Sequence, residues 1–159
     1  LETAGMLFTL LFGNLLHFVY DWTGQAGWAA YLSAVNESTW EHMKLLFFPM
    51  LALVLFLFFK LPEQSPIPVA LSIGTLVGLA LIPILFYTYT GVLGFSVMAI
   101  DIAIFYISVL GVFLTGWFLK DNRELANRRG LLLTCLVILA ILFFIFSYYP
   151  PEIGLFQEP

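Results

Sequence analysis

The chain has 159 residues, of which 62% are hydrophobic, 18% aromatic and only 10% charged, and its formal net charge is -4. A mean hydropathy of +1.01 is far above that of soluble domains, so we expect an integral membrane protein in a lipid bilayer. The acidic balance excludes a basic surface for nucleic acid, and the single cysteine, Cys135, excludes disulfide frameworks and cysteine-rich zinc sites.

Five apolar segments are long enough to cross a bilayer, which takes about 20 mostly apolar residues. Polar or turn-forming stretches, such as DWTGQAGW and KDNRELANRRG, separate them. The sequence therefore predicts an all-α integral membrane fold, with residues 1–159 forming a single domain. Its five transmembrane helices are expected near residues 4–20, 39–59, 67–87, 95–119 and 131–149.

The first predicted helix carries three polar side chains near its C-terminal end. Asn14, His17 and Asp21 are spaced so that they lie along one stripe of the helix. A histidine within the membrane is costly to leave unpaired, so we expect His17 to face the bundle, most simply hydrogen-bonded to Asp21. In the following loop, the stretch WAAYL predicts a short interfacial helix.

The stretch NESTWEHMK opens the second predicted helix. Ser38 and Glu41 match a capping box, in which Ser38 accepts from the Glu41 N–H and the Glu41 carboxylate accepts from the Ser38 N–H. Glu37, Glu41 and Lys44 share a face, so ion pairing is a second explanation of the acidic residues. Neither explains His42, which points about 100° away from Glu41 around the helix.

Two features mark the third and fourth predicted helices. Gly74 and Gly78, four residues apart, predict close packing of the third helix against a neighbour. Asp101 is expected about 9 Å into the fourth helix, where a carboxylate costs about 2.5 to 3.5 kcal/mol and needs a partner. The candidate partners enter from the same side, namely His17, His42 and Lys44. A hydrogen-bonded Asp101 that only joins two helices is the alternative.

The distribution of basic residues predicts the orientation. Only Lys44 lies on the side that bears the histidines, whereas the other side, which includes the N-terminus, carries Lys60, Lys120, Arg123, Arg128 and Arg129. Basic residues favour cytoplasmic loops, so the N-terminus is expected inside and the C-terminus outside. Both histidines and most acidic residues then lie at the outer surface.

The residue types gathered on that side are those of a metal site. Neutral imidazole and carboxylate are ligands for zinc and other divalent metals, and the candidate ligands are His17, Asp21, Glu37, Glu41 and His42. Further candidate contacts for a bound ligand are Asn14, Lys44 and Asp101. The chain has no HExxH motif, G-x-S-x-G elbow or P-loop.

Three functional hypotheses follow. The leading one is an acidic, histidine-containing outer pocket that binds a divalent cation or a cationic small molecule for transport or sensing. The second is a metal-dependent membrane hydrolase acting at the outer leaflet, with Glu37 or Glu41 as general base. The third is a structural or partner-binding bundle without a ligand. A second copy of the chain or another membrane protein are candidate partners.

The stretch HFVYDWTG followed by NESTWEHMKLLFFP resembles a family of small bacterial polytopic membrane proteins with a His-x-x-x-acid element and an N-E-S-x-W-E-H-x-K helix start. The resemblance covers residues 17–49 and implies a location in the bacterial inner membrane, but it supplies no activity. The pattern is also similar to that of metal-dependent membrane hydrolases of the ceramidase and progestin-receptor type. Their seven-helix plan and full histidine set are missing here.

Overall fold

The computed structural model describes residues 2–158, and within this range the chain is helical, with no β-strand. All five long helices are apolar enough to cross a membrane, which confirms the predicted all-α fold and implies a lipid environment. Three short 3-10 helices span Ala29–Tyr31, Arg123–Arg128 and Gly154–Phe156. The long helices are α1 (Glu2–Trp22), α2 (Thr39–Lys60), α3 (Ile67–Leu93), α4 (Met98–Leu119) and α5 (Arg129–Tyr148).

The turn between α3 and α4 lies later in the chain than predicted. The helix α3 continues to Leu93 and ends where Gly94 adopts a positive φ of 81°, with the Gly94 N–H donating to Thr90 O at 2.7 Å. The helix α4 then begins at Met98. Asp101 therefore lies in the first turn of α4, nearer to the helix end than the sequence indicated.

The helices α2 and α3 are central, because α2 contacts α1, α3 and α5, and α3 contacts α2, α4 and α5. The most extensive helix pair is α3 with α4, and α1 also contacts α4. The core is a single cluster of aliphatic and aromatic side chains, in which Phe47, Met50, Val54 and Val112 are fully buried. The outward faces carry large apolar side chains, such as Phe118, that suit contact with lipid.

Small residues bring the helices close together at two places. A Cβ atom on Gly74 would overlap Val112 O, and one on Gly78 would lie 2.5 Å from Val112 Cγ2. The predicted close packing through these glycines is therefore confirmed, with α4 as the neighbour. On α1, a Cβ on Gly13 would lie 2.7 Å from Leu45 O. This contact holds the middle of α1 directly against the second turn of α2.

Candidate metal site

The loop between α1 and α2 folds back over the end of α1. Gly24 and Gln25 adopt positive φ angles of 65° and 61°, and the Gln25 N–H donates to Tyr20 O at 2.8 Å. The short helix Ala29–Tyr31 follows, as predicted from WAAYL. Ser33 Oγ then accepts from the Tyr20 N–H at 3.0 Å. The loop thus returns the chain to α2 beside the residues that end α1. We call this end of the bundle, which carries His17 and His42, the histidine end.

The first turn of α2 is capped differently from the predicted capping box. Ser38 is the N-cap, and its Oγ accepts from the Glu41 N–H at 3.4 Å, as expected. The Ser38 N–H, however, donates to Asn36 Oδ1 at 3.0 Å rather than to Glu41. Only half of the capping box is formed, because Asn36 supplies the other half. The Glu41 carboxylate is therefore available for other contacts.

Three side chains from separate elements meet at the histidine end. His17 comes from α1, Glu37 from the loop and His42 from the first turn of α2, and one ligand atom of each lies within 4.8 Å of the others. His42 Nε2 is 3.3 Å from Glu37 Oε2, and the rings of His17 and His42 are 5.5 Å apart between centroids. We call these three residues the histidine cluster. Glu37 is exposed and both histidines are partly exposed, so the cluster is accessible.

The hydrogen bonds around the cluster leave histidine nitrogens available. His42 Nδ1 lies 3.0 Å from Ser38 O, and a carbonyl oxygen can only accept, so Nδ1 carries a proton. In the neutral ring, the lone pair is then on Nε2, which faces Glu37. His17 Nδ1 is buried and has no hydrogen-bond partner in residues 2–158. The expected hydrogen bond from this nitrogen to Asp21 is not formed, and Asp21 is exposed and outside the cluster.

Beside the histidine cluster lies a buried ion pair. Lys44 is 0% exposed and the Glu41 side chain 3% exposed, and Lys44 Nζ is 2.5 Å from Glu41 Oε2. Lys44 Nζ also donates to Ala30 O at 2.9 Å and to Ser147 Oγ at 2.8 Å. An ammonium has three N–H donors, and all three find acceptors here. The predicted Glu41–Lys44 pair is confirmed, but Glu37 belongs to the histidine cluster instead.

The Glu41 carboxylate is equally well occupied. Its Oε2 accepts from the Val35 N–H at 2.9 Å, and its Oε1 accepts from Ser147 Oγ at 3.0 Å. Glu41 and His42 are adjacent in the sequence and so diverge by about 100° around α2. Glu41 therefore faces Ser147 of α5, whereas His42 faces His17 of α1. This arrangement places Glu41 outside the group of side chains that could share one metal ion.

Sequence reasoning missed Ser147. It is the only hydroxyl in the apolar stretch LAILFFIFS near the end of α5, and it contacts residues more than 100 positions earlier. A single polar residue near the end of an apolar helix was the available signal, since such residues seek a partner inside the bundle. Nothing in the spacing of residues along the chain indicated that the partners were Glu41 and Lys44.

Asp101 and Asn14 lie outside the histidine cluster. Asp101 accepts a short hydrogen bond from the Tyr89 hydroxyl of α3, and the same hydroxyl accepts from the Val97 N–H at 3.0 Å. Asp101 thus fastens the turn between α3 and α4, whereas its expected partner Lys44 is occupied by the ion pair. Asn14 donates to Leu10 O at 2.7 Å and to the Tyr106 hydroxyl of α4 at 3.4 Å.

The comparisons with known proteins yield one match. A family model described as "Family of unknown function (DUF6512)" matches residues 2–159. No curated protein and no solved structure matches the chain. The family match extends well beyond residues 17–49, which carried the resemblance noted from the sequence.

Proposed function

We propose that this chain, which belongs to the DUF6512 family of unknown function, is a multi-pass protein of the bacterial inner membrane that binds a divalent metal such as zinc. The ligands would be His17, Glu37 and His42, facing the outer side of the membrane. The observation that carries the proposal is the meeting of their three ligand atoms within 4.8 Å. Such a site would serve to sense or capture the ion.

One pair of ligand atoms in the cluster is spaced as in a metal site. Zinc bonds to nitrogen and oxygen ligands are about 2.0–2.2 Å long, which puts two tetrahedral ligand atoms roughly 3.4 Å apart. The 3.3 Å between His42 Nε2 and Glu37 Oε2 is close to that value. The hydrogen bond from His42 Nδ1 to Ser38 O is the kind of outer contact that orients metal-binding histidines. Three protein ligands leave a fourth position open, so the ion would be exchangeable.

An ion pair without metal is the competing explanation of the same contacts. A doubly protonated His42 would donate from Nδ1 to Ser38 and from Nε2 to Glu37, which needs no metal. This explanation does not involve His17, whose buried Nδ1 has no partner within the described chain. Metal binding would use all three side chains, so substitution of His17 separates the two explanations.

The geometry gives less support to hydrolysis and to transport. A hydrolase would also use a three-ligand metal with an open position. Its proposed bases are committed, however, because Glu41 is paired with Lys44 and Glu37 would be a ligand. For transport, the buried hydroxyls of Thr9, Ser72 and Thr75 donate to carbonyls of their own helices. The protons of these three hydroxyls are therefore already donated within their own helices and are not available to a transported ion or solute.

The test is metal titration of the purified protein in detergent after removal of bound metal with a chelator. We expect one Zn²⁺ per chain, and a stabilisation of about 2.7 kcal/mol when free Zn²⁺ is 100 times its dissociation constant. His17→Ala and His42→Ala should abolish binding, whereas Asp21→Ala, a nearby exposed carboxylate outside the cluster, should not. The proposal is wrong if the wild-type protein binds no divalent ion, or if His17→Ala binds it normally.

A further inference from the structure

We infer that the buried ion pair of Glu41 and Lys44, together with Ser147, positions the ligands of the histidine cluster. The side chains of these three residues make no hydrogen bond to a ligand of the cluster but hold the loop and helix that present Glu37 and His42. The inference rests on the proposed metal binding and adds positioning residues to that site.

The ion pair holds the loop at two points. Lys44 Nζ donates to Ala30 O at 2.9 Å, and Glu41 Oε2 accepts from the Val35 N–H at 2.9 Å. Glu37 follows Val35 by two residues and is itself exposed. Its backbone position therefore depends on the anchored Val35 on one side and on the N-cap of α2 on the other. Without these anchors, little else would fix an exposed glutamate beside two histidines.

The ion pair also fixes the rotation of the first turn of α2. Glu41 and Lys44 lie in the first two turns of α2, and both side chains contact Ser147 of α5. Glu41 is hydrogen-bonded to Ser147 of α5, and the adjacent His42, about 100° around the helix, therefore points toward α1. Two elements that carry ligands, the loop and α2, thus share one anchor on α5.

A buried ion pair often adds little stability compared with apolar side chains of similar size, and this allows positioning to be separated from stability. In the double variant Glu41→Leu with Lys44→Met, no buried charge is left unpaired, but the contacts to Ala30, Val35 and Ser147 are lost. We expect it to melt nearer to the wild-type temperature than a variant that removes only one of the two charges. We also expect its Zn²⁺ affinity to fall by up to about 10-fold, less than the 10- to 100-fold loss that is usual when a group hydrogen-bonded to a metal ligand is removed.

The readouts are Zn²⁺ affinity, measured by competition with a chromophoric chelator, and the visible spectrum of bound Co²⁺, which reports ligand geometry. The milder variant Ser147→Ala should shift both in the same direction. Gly74→Ala is the matched control, because it disturbs the distant α3–α4 contact and should lower the melting temperature without altering affinity or spectrum.

The outcomes distinguish this inference from the proposed function. If wild-type protein binds Zn²⁺ and His17→Ala does not, metal binding stands. If the double variant and Ser147→Ala then bind with wild-type affinity and an unchanged Co²⁺ spectrum, the positioning role is refuted and metal binding remains. If the wild-type protein binds neither Zn²⁺ nor Co²⁺, both are refuted. Weakened binding in the double variant, with Gly74→Ala unaffected, supports the positioning role.

Discussion

Replacing Lys44 alone by methionine tests the energetic role of the buried ion pair. The two side chains are similar in length, so Lys44→Met leaves little cavity and mainly removes the charge and its hydrogen bonds. The Glu41 carboxylate, 3% exposed, would then be buried without a cation, and Ala30 O would lose the Lys44 donor. Removing one partner of a buried ion pair costs about 3–5 kcal/mol, because the other charge is left uncompensated.

This cost converts into a measurable change. For a chain of this size, 1 kcal/mol shifts the melting temperature by about 2–4 °C, so Lys44→Met should melt about 6–20 °C below the wild-type protein. Adding Glu41→Leu removes the unpaired carboxylate and should restore most of the lost melting temperature. The assay is thermal unfolding in detergent, followed by circular dichroism, with all variants at the same pH and detergent concentration.

Two results would refute this reasoning. The first is a melting temperature of Lys44→Met within about 2 °C of wild type, which would mean that the carboxylate finds water or a proton at no cost. The second is a double variant no more stable than Lys44→Met, which would mean that the loss came from packing or from hydrogen bonds rather than from the unpaired charge.

Three further predictions concern the fold and the orientation. Gly74→Ala should destabilise the bundle by about 1–3 kcal/mol in thermal unfolding, because its new methyl group would meet Val112. Gly91→Ala, with no atom near its Cβ position, should be neutral or slightly stabilising. Equal effects of the two substitutions would contradict the packing argument. Tyr89→Phe should lower the free energy of unfolding by about 1–3 kcal/mol, because Asp101 loses its hydrogen-bond donor. Tyr87→Phe, which changes an exposed tyrosine, should lower it little in the same assay. A reporter fused after the last residue should read periplasmic, and one in the loop between α4 and α5 should read cytoplasmic; the opposite pattern would invert the proposed orientation.

The sequence was sufficient to predict the five long helices because each is a long apolar run, and the length of such a run can be read from the sequence directly. It was less accurate between α3 and α4, where TYTGVLG suggested a turn. The chain remains helical to Leu93, and the turn forms only at Gly94. The shift moved Asp101 into the first turn of α4 and gave it Tyr89 as a partner. Local composition indicated that a turn was near, and the second of its two glycines, Gly94, is the one that adopts the positive φ and ends α3.

The candidate site, too, was predicted only in part from the sequence. The residue types in the sequence placed His17, Glu37 and His42 among the candidate metal ligands, and the structure brings these three together. Glu41 was grouped with them because it lies in the same short stretch. The sequence left open whether capping or an ion pair explained it, and the structure adds a contact with Ser147, 106 positions later in the chain. Contacts between residues so far apart cannot be read from spacing along one helix.

The ion pair of Glu41 and Lys44 also bears on whether the histidine cluster binds a metal ion or an organic cation. Because Lys44 balances Glu41, the cluster itself contains a single carboxylate, from Glu37, and two imidazoles. An organic ammonium could donate hydrogen bonds to Glu37 and to imidazole lone pairs, but these contacts are weaker than coordination bonds to a transition metal. A divalent transition metal accepts lone pairs from all three side chains, and the carboxylate offsets part of its charge. The bound ion would keep a net positive charge and an open position, so its fourth ligand should be water, hydroxide or an anion. The arrangement therefore favours a metal over a cationic small molecule as the ligand of this site.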